Sequence, residues 1–126
     1  MGKASRNKGK TGEREVANIL KEHGYDAHRG VQYQGGSDSP DVIGLPGIHI
    51  EVKRVNSLRL YSSLEQSRDD ADDSEIPIVM HRPDRKPWVV VMDAEDFLDL
   101  YNMARCACYE GCSPIPKKDF STFKPW

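Results

Sequence analysis

No run of apolar residues in this chain approaches the ~20 needed to cross a bilayer, so nothing in it reads as a membrane span. The opening MGKASRNKGK has positive charge but no apolar stretch behind it, which excludes a secretory signal and makes the cytoplasm the expected setting. Cysteine is scarce: Cys106, Cys108 and Cys112 all fall in CACYEGC. An odd number gives no disulfide framework. Three sulfurs with no fourth Cys or His after them fall short of the four-ligand pattern of structural zinc, so ordinary reduced thiols are expected there. Internal repeats are absent. An excess of positive charge is absent too: the formal net charge is −2, which by itself argues against a nucleic-acid partner. Its distribution argues otherwise. Lys3, Arg6, Lys8 and Lys10 stand among the first ten residues with no acid, while the acids crowd into EQSRDDADDSE and DAEDFLD.

At 126 residues, with 37% hydrophobic and 30% charged side chains, the chain suits one globular domain of modest core. Residues 1–10 read as a flexible basic arm, 11–104 as the folded domain and 105–126 as a C-terminal tail rich in Pro, Lys and Ser. Apolar residues at helical spacing, Val16, Ile19 and Leu20, predict a helix over 11–23, capped by Thr11 and ended by Gly24. YDAHRGVQY is extended, and QGGSDSP is turn material. DVIGL and IHIEVKRV are two strands joined by a tight turn at Pro46-Gly47. A helix over 58–75 follows, with Leu58, Tyr61 and Leu64 on its packing face. IPIVMHR and PWVVVM are strands; the second is apolar throughout, hence expected to be central or covered on both faces. Asp93 caps a last helix that packs through Phe97, Leu98 and Tyr101. The order predicts an α/β fold, a mixed central sheet flanked by helices.

The chemistry concentrates in PDVIGLPGIHIEVK. Residues two apart on a strand share a face, so His49, Glu51 and Lys53 point one way and Ile48, Ile50 and Val52 the other. The turn at Pro46-Gly47 returns the second strand beside the first, which brings Asp41 and Glu51 to the same end of the hairpin. Asp38 competes with Asp41, but Asp41 directly abuts the apolar strand. Two carboxylates side by side repel unless a cation lies between them. Mg²⁺ fits, with its preference for oxygen ligands and phosphate, and Mn²⁺ is an alternative. Lys53 beside the cation can orient a water or steady negative charge. Such a set suits hydrolysis of a phosphodiester. The plain alternative is a Glu–Lys pair on a solvated strand, which ExK alone would not exclude; the preceding Pro-Asp makes the metal site the favoured reading.

These residues resemble the core motif of the PD-(D/E)xK nuclease superfamily, which implies the restriction-endonuclease-like fold. KGKTGEREVANILKEHGYDAHR resembles the opening of archaeal-type Holliday junction resolvases, and phage-encoded proteins of similar size look alike. The likeness covers about residues 8–55. It implies that Glu13, Asp41, Glu51 and Lys53 are catalytic, with metal held by Glu13, Asp41, Glu51 and the Val52 carbonyl. It also implies DNA contacts from Lys8, Lys10, Arg14 and Arg29, and an accessory role for Gln66. His49 shares the Glu51 face but stands outside this set. Two features depart from the resemblance. EQSRDDADDSE is acidic where a DNA-facing helix would be basic, and is expected to face solvent. The cysteine-bearing tail has no counterpart.

The expected function is therefore metal-dependent endonucleolytic cleavage of branched DNA, most of all a four-way Holliday junction, by a two-fold homodimer. The basic arm would grip phosphates without reading sequence. Arg82, Arg85 and Lys86 form a second basic loop. The rival readings are a nuclease for flapped, nicked or plain duplex DNA, and a non-catalytic DNA-binding protein of the same fold. A zinc-dependent interaction module built on CACYEGC is a third.

Overall fold

The computed structural model describes residues 3–30 and 40–109. The expected turn at 34–39, Asp38 with it, and the tail from residue 110 lie outside the described residues, as does the Cys112 thiol. By compactness the chain divides into one unit over Met1–Met92 and another over Asp93–Trp126.

The first unit opens with helix α1, Lys3–Glu22. Sequence placed the helix start at Thr11, but the backbone is already helical at Lys3, so Lys8 and Lys10 ride on the helix. One glycine and three lysines in residues 3–10 carry little apolar periodicity, and that hid the early turns. The helix ends as expected. Gly24 adopts φ +92°, its amide donates to Lys21 O at 3.0 Å, and the Tyr25 amide reaches Leu20 O at 3.0 Å. That pair of bonds is a Schellman ending, which needs a residue free to enter the left-handed region.

Four more strands and one helix follow the short β1, His28–Arg29: β2, Val42–Ile43; β3, Ile48–Lys53; α2, Leu60–Asp70; β4, Ile76–His81; β5, Val89–Val91. They form a five-stranded sheet in the order β1-β2-β3-β4-β5. β3 and β4 run parallel and the other neighbours antiparallel, which makes the expected mixed sheet. The β2–β3 hairpin closes through Ile48 N to Leu45 O at 3.1 Å, with Gly47 at φ +84°. Proline second and a positive-φ glycine third are what a type II turn requires.

Alternation along β3 sorts the two faces. Ile50 and Val52 join Ile78 and Met80 of β4, Val42 of β2, Ala27, and Val16, Ala17 and Leu20 of α1 in one core. Each large apolar side chain so buried stabilises by roughly 1.5–3 kcal/mol. α2 covers the opposite face of β3 and β4. Its inward residues are Ser63, Leu64 and Ser67. Ser67 is fully buried and donates to Ile78 O at 2.9 Å, which satisfies its hydroxyl. The sequence placed Tyr61 inward, yet it is 80% exposed. Small hydroxyl side chains let α2 lie close to the sheet, and an apolar-only pattern could not register them.

β5 is a second departure. It lies at the edge of the sheet, and Val89 and Val90 are exposed. An unbroken apolar run signals strand but does not distinguish centre from edge. In the second unit α3, Ala94–Tyr109, begins with Phe97 N donating to Asp93 O at 3.0 Å. Phe97, Leu98 and Tyr101 are exposed on it rather than packed inward, with the Phe97 and Tyr101 rings stacked at 6.5 Å. No helix among the described residues is long and apolar enough to cross a membrane.

Candidate active site

Asp41 is held by three hydrogen bonds. Its amide donates to Ile50 O at 2.9 Å and its carbonyl accepts from Gly30 N at 2.9 Å. Its Oδ2 accepts from the Val52 amide at 2.8 Å. Strand β2 starts only at Val42, so the side chain of Asp41 provides the acceptor that the ladder no longer does. In a strand the N–H and C=O of one residue leave the backbone on the same side. The Val52 carbonyl therefore also faces the Asp41 side of β3.

Glu51 lies beside Asp41 and is 3% exposed. Burial first, and then the neighbouring Glu51 charge, push the Asp41 carboxyl up to about 7, although the Val52 amide pulls it down; Glu13 adds a further upward push. Three carboxylates thus converge from α1, the start of β2 and β3. Glu13 is anchored by Arg29, whose Nε donates to Glu13 Oε2 at 2.7 Å. Lys53 extends from the Glu51 face, and its Nζ donates to Gln66 Oε1 at 3.1 Å. α2 thereby reaches the site through Gln66, on the side of the sheet that carries Glu51 and Lys53.

The close approach of α1 to β3 depends on Gly12, which is buried. A Cβ there would stand 2.7 Å from Arg54 Cβ and 3.4 Å from Val52 Cγ1. A helix-interior glycine costs roughly 1 kcal/mol against alanine. Here it lets the first turns of α1 lie against the end of β3, and Glu13 follows directly.

A cleft of 320 Å³ adjoins, lined by Lys8, Gly9, Val52, Lys53, Arg54, Val55 and Asn56. Asp84 organises its rim. It pairs with Lys8 at 3.2 Å and with Arg54 at 2.9 Å, and accepts from Asn56 at 3.0 Å. Those donors hold its carboxyl at about 2, well below the usual range. Of the basic loop, Arg82 is engaged: it donates to Glu15 at 2.8 Å, and Trp88 Nε1 donates to the same oxygen at 2.9 Å. Arg85 and Lys86 are exposed, and Arg85 adopts φ +62°.

Glu13, Asp41, Glu51, Lys53, Val52, Arg29 and Gln66, all named from sequence, therefore meet, and Lys8 lines the adjoining cleft. Lys10 and Arg14 are exposed on α1 and enter none of these contacts. Sequence reasoning missed Arg54 and Asp84. It left His49 aside, and it sent the whole acidic stretch of residues 65–75 to solvent. Two of those acids turn inward instead. Glu75 Oε1 is 3.8 Å from His49 Nδ1, and Asp70 sets a carboxylate oxygen near both His49 and Glu51. The signal was present in the two-residue period of β3, which puts His49 on the Glu51 face.

A buried carboxylate pair with a third acid nearby fits a divalent cation: a buried Asp41 that resists ionisation beside Glu51 is relieved by positive charge between them. A mixed sheet with this carboxylate set and a lysine two residues on defines a metal-dependent nuclease of the PD-(D/E)xK class. The family model described as archaeal Holliday junction resolvase (Hjc) matches residues 4–99. The chain belongs to the archaeal Holliday junction resolvase family. Among solved structures it is similar to Archaeoglobus fulgidus Hjc, a Holliday junction resolvase from an archaeal hyperthermophile. The identity is 25%, the TM-score is 0.52, and the match covers 68% of this chain and 72% of that one. No curated protein matches the chain.

Proposed function

We propose that this protein cuts four-way DNA junctions as a Mg²⁺-dependent endonuclease, with Mn²⁺ as an alternative ion, acting in the cytoplasm as a two-fold homodimer. The observation that carries this reading is the clamped Asp41 beside Glu51, with Glu13 close enough to act on its charge and Lys53 beyond. Glu13, Asp41, Glu51 and the Val52 carbonyl would hold the cation. When bound, it supplies Lewis-acid stabilisation of the charge that develops on the phosphodiester.

The chain's own residues do the rest. The Asp41–Val52 hydrogen bond fixes the carboxylate before substrate arrives, so no reorganisation is left for the reaction. Gln66 holds the Lys53 ammonium by its Nζ, which leaves the other N–H bonds of that group to orient a water or meet a phosphate oxygen. Arg29 keeps Glu13 in place and contributes positive charge at the site. Lys8 and Arg54 along the cleft, exchanging Asp84 for phosphate, would meet the DNA backbone together with Lys10 and Arg14 exposed on α1, which fixes position without reading sequence. Resolution needs two symmetric cuts and so two copies of the site. The exposed apolar residues Val89 and Val90 on β5 offer surface for a partner copy.

The test is cleavage of a labelled four-way junction beside a linear duplex of the same arms, with Mg²⁺ and with EDTA. Junction-selective cutting that EDTA stops supports the proposal. Equal cutting of both substrates removes the junction assignment and keeps the nuclease.

A further inference from the structure

On the α2 side of Glu51 lies a cluster of which the cleavage chemistry uses only Glu51 itself. His49 precedes Glu51 by two residues on β3 and is 0% exposed. Both of its ring nitrogens are buried without a hydrogen-bond partner. Orphaned polar atoms of this kind are uncommon because burial removes their water. The ring is nonetheless surrounded by acceptors. Nε2 is 3.5 Å from Glu51 Oε1, and Nδ1 is 3.8 Å from Glu75 Oε1. The first is at the outer limit of a hydrogen bond and the second is beyond it. One ligand atom from each of His49, Glu51 and Asp70 lies within 4.8 Å of the others.

Space between an imidazole nitrogen and two carboxylates is what a divalent ion fills, with bonds of about 2.0–2.2 Å. We propose that His49, Glu51 and Asp70 form a second divalent-cation site, which takes a transition metal such as Zn²⁺ or Co²⁺ in preference to Mg²⁺. Imidazole is a donor that suits these ions, whereas Mg²⁺ keeps to oxygen. Nε2 is the ligating nitrogen, since it faces Glu51. Glu75 then stands behind Nδ1, where a carboxylate orients a metal-binding imidazole and fixes its tautomer. Asp70 closes the site from the last residue of α2. Glu51 serves both sites, one carboxylate between His49 and Asp41. A cation at His49 therefore ties the last turn of α2 to β3 and holds Glu51 ready beside Asp41. Only this shared duty rests on the nuclease reading; the second site itself does not require cleavage.

The test uses the full chain, stripped with EDTA and titrated with Co²⁺. Binding is followed by calorimetry and by visible absorption, with and without excess Mg²⁺. The variants are His49→Gln, Asp70→Asn and Asp41→Asn, each checked for fold by circular dichroism. Wild type is expected to hold one Co²⁺ that excess Mg²⁺ does not displace, with the absorption of a nitrogen-containing ligand set. Asp41→Asn keeps that ion. Asp70→Asn, at a helix end where folding is little affected, weakens it about tenfold or more, and His49→Gln abolishes it. Complete displacement by Mg²⁺ in wild type overturns the proposal, as does undiminished Co²⁺ binding in Asp70→Asn. Mg²⁺-resistant Co²⁺ binding in a protein that cuts no junction supports this site while counting against the nuclease reading, so the two failures are distinct.

Discussion

Asp41 reaches across from the start of β2 to accept the Val52 amide at 2.8 Å, and this bond joins the two halves of the candidate active site. It sets the carboxylate beside Glu51 and orients the backbone whose carbonyl faces the same way. Asp41 therefore has two duties, charge and architecture, and substitution separates them. Asp41→Asn keeps an oxygen acceptor and loses the charge. Asp41→Ala loses both. Both variants are expected to lose junction cleavage. Ala should be less stable than Asn by about 1–3 kcal/mol, the cost of an unmet buried amide. Urea unfolding of the two proteins, side by side in EDTA, measures the difference.

The raised Asp41 carboxyl makes the metal-free protein sensitive to alkali. Its folded pKa of about 7 lies above the ordinary 3.8. Between those values the folded state binds more protons than the unfolded one, so stability from this group is complete below the ordinary value and is lost as pH rises through about 7. His49, raised chiefly by its interaction with Glu51, contributes a slope of the same sign. In EDTA the melting temperature should fall from about pH 5 to about pH 8, and divalent cation should restore it at the upper end. Asp41→Asn should flatten the slope without removing the part due to His49. A melting temperature that rises over this range would contradict the assignment.

On the proposed function, Gln66 would act on the reaction through Lys53, whose Nζ it accepts at 3.1 Å. Lys53→Met is expected to slow single-turnover cleavage by about 10²-fold or more, as loss of a positioned donor does. Gln66→Ala frees the ammonium without removing it, so the slowing should be smaller, about tenfold. Junction affinity should stay within twofold or so of wild type in both, because neither change removes the exposed positive charges of α1. Filter-binding and quench-flow measurements on the same preparations separate the two quantities.

Gly12 is expected to tolerate no side chain. Gly12→Ala places a Cβ 2.7 Å from Arg54 Cβ, so α1 or β3 must shift. The overpacking should cost roughly 1–3 kcal/mol. Because Glu13 is the next residue, cleavage should drop by more than the loss of folded protein accounts for. Activity per folded molecule, with the folded fraction taken from circular dichroism, checks this.

How far the sequence disclosed this site depends on which physical level carried each residue. Asp41, Glu51 and Lys53 were legible because a two-residue period and one Pro-Gly turn fix their relation locally. The Schellman ending at Gly24 was legible for the same reason. Glu13, Arg29 and Gln66 came through resemblance, and the structure brings all three to the site. The rotation of α2 about its axis is tertiary, so nothing local distinguished Tyr61, which is exposed, from Ser63 and Ser67, which pack on the sheet. The inward turn of Asp70 and Glu75 was hidden by their neighbours, since a run of acids ordinarily marks a solvated face. β5 was misread because an apolar strand looks alike at the centre and at the edge. The early turns of α1 were missed because glycine and lysine gave them no apolar period.

The central claim is that the Glu51 carboxylate serves cleavage and not DNA binding. Single-turnover cleavage of an end-labelled four-way junction by wild type and by Glu51→Gln, at protein concentrations that saturate binding, tests it most directly. The account predicts paired, symmetric nicks with wild type, and a Glu51→Gln complex of similar affinity that leaves the junction intact. Cleavage by Glu51→Gln at the wild-type rate would contradict it.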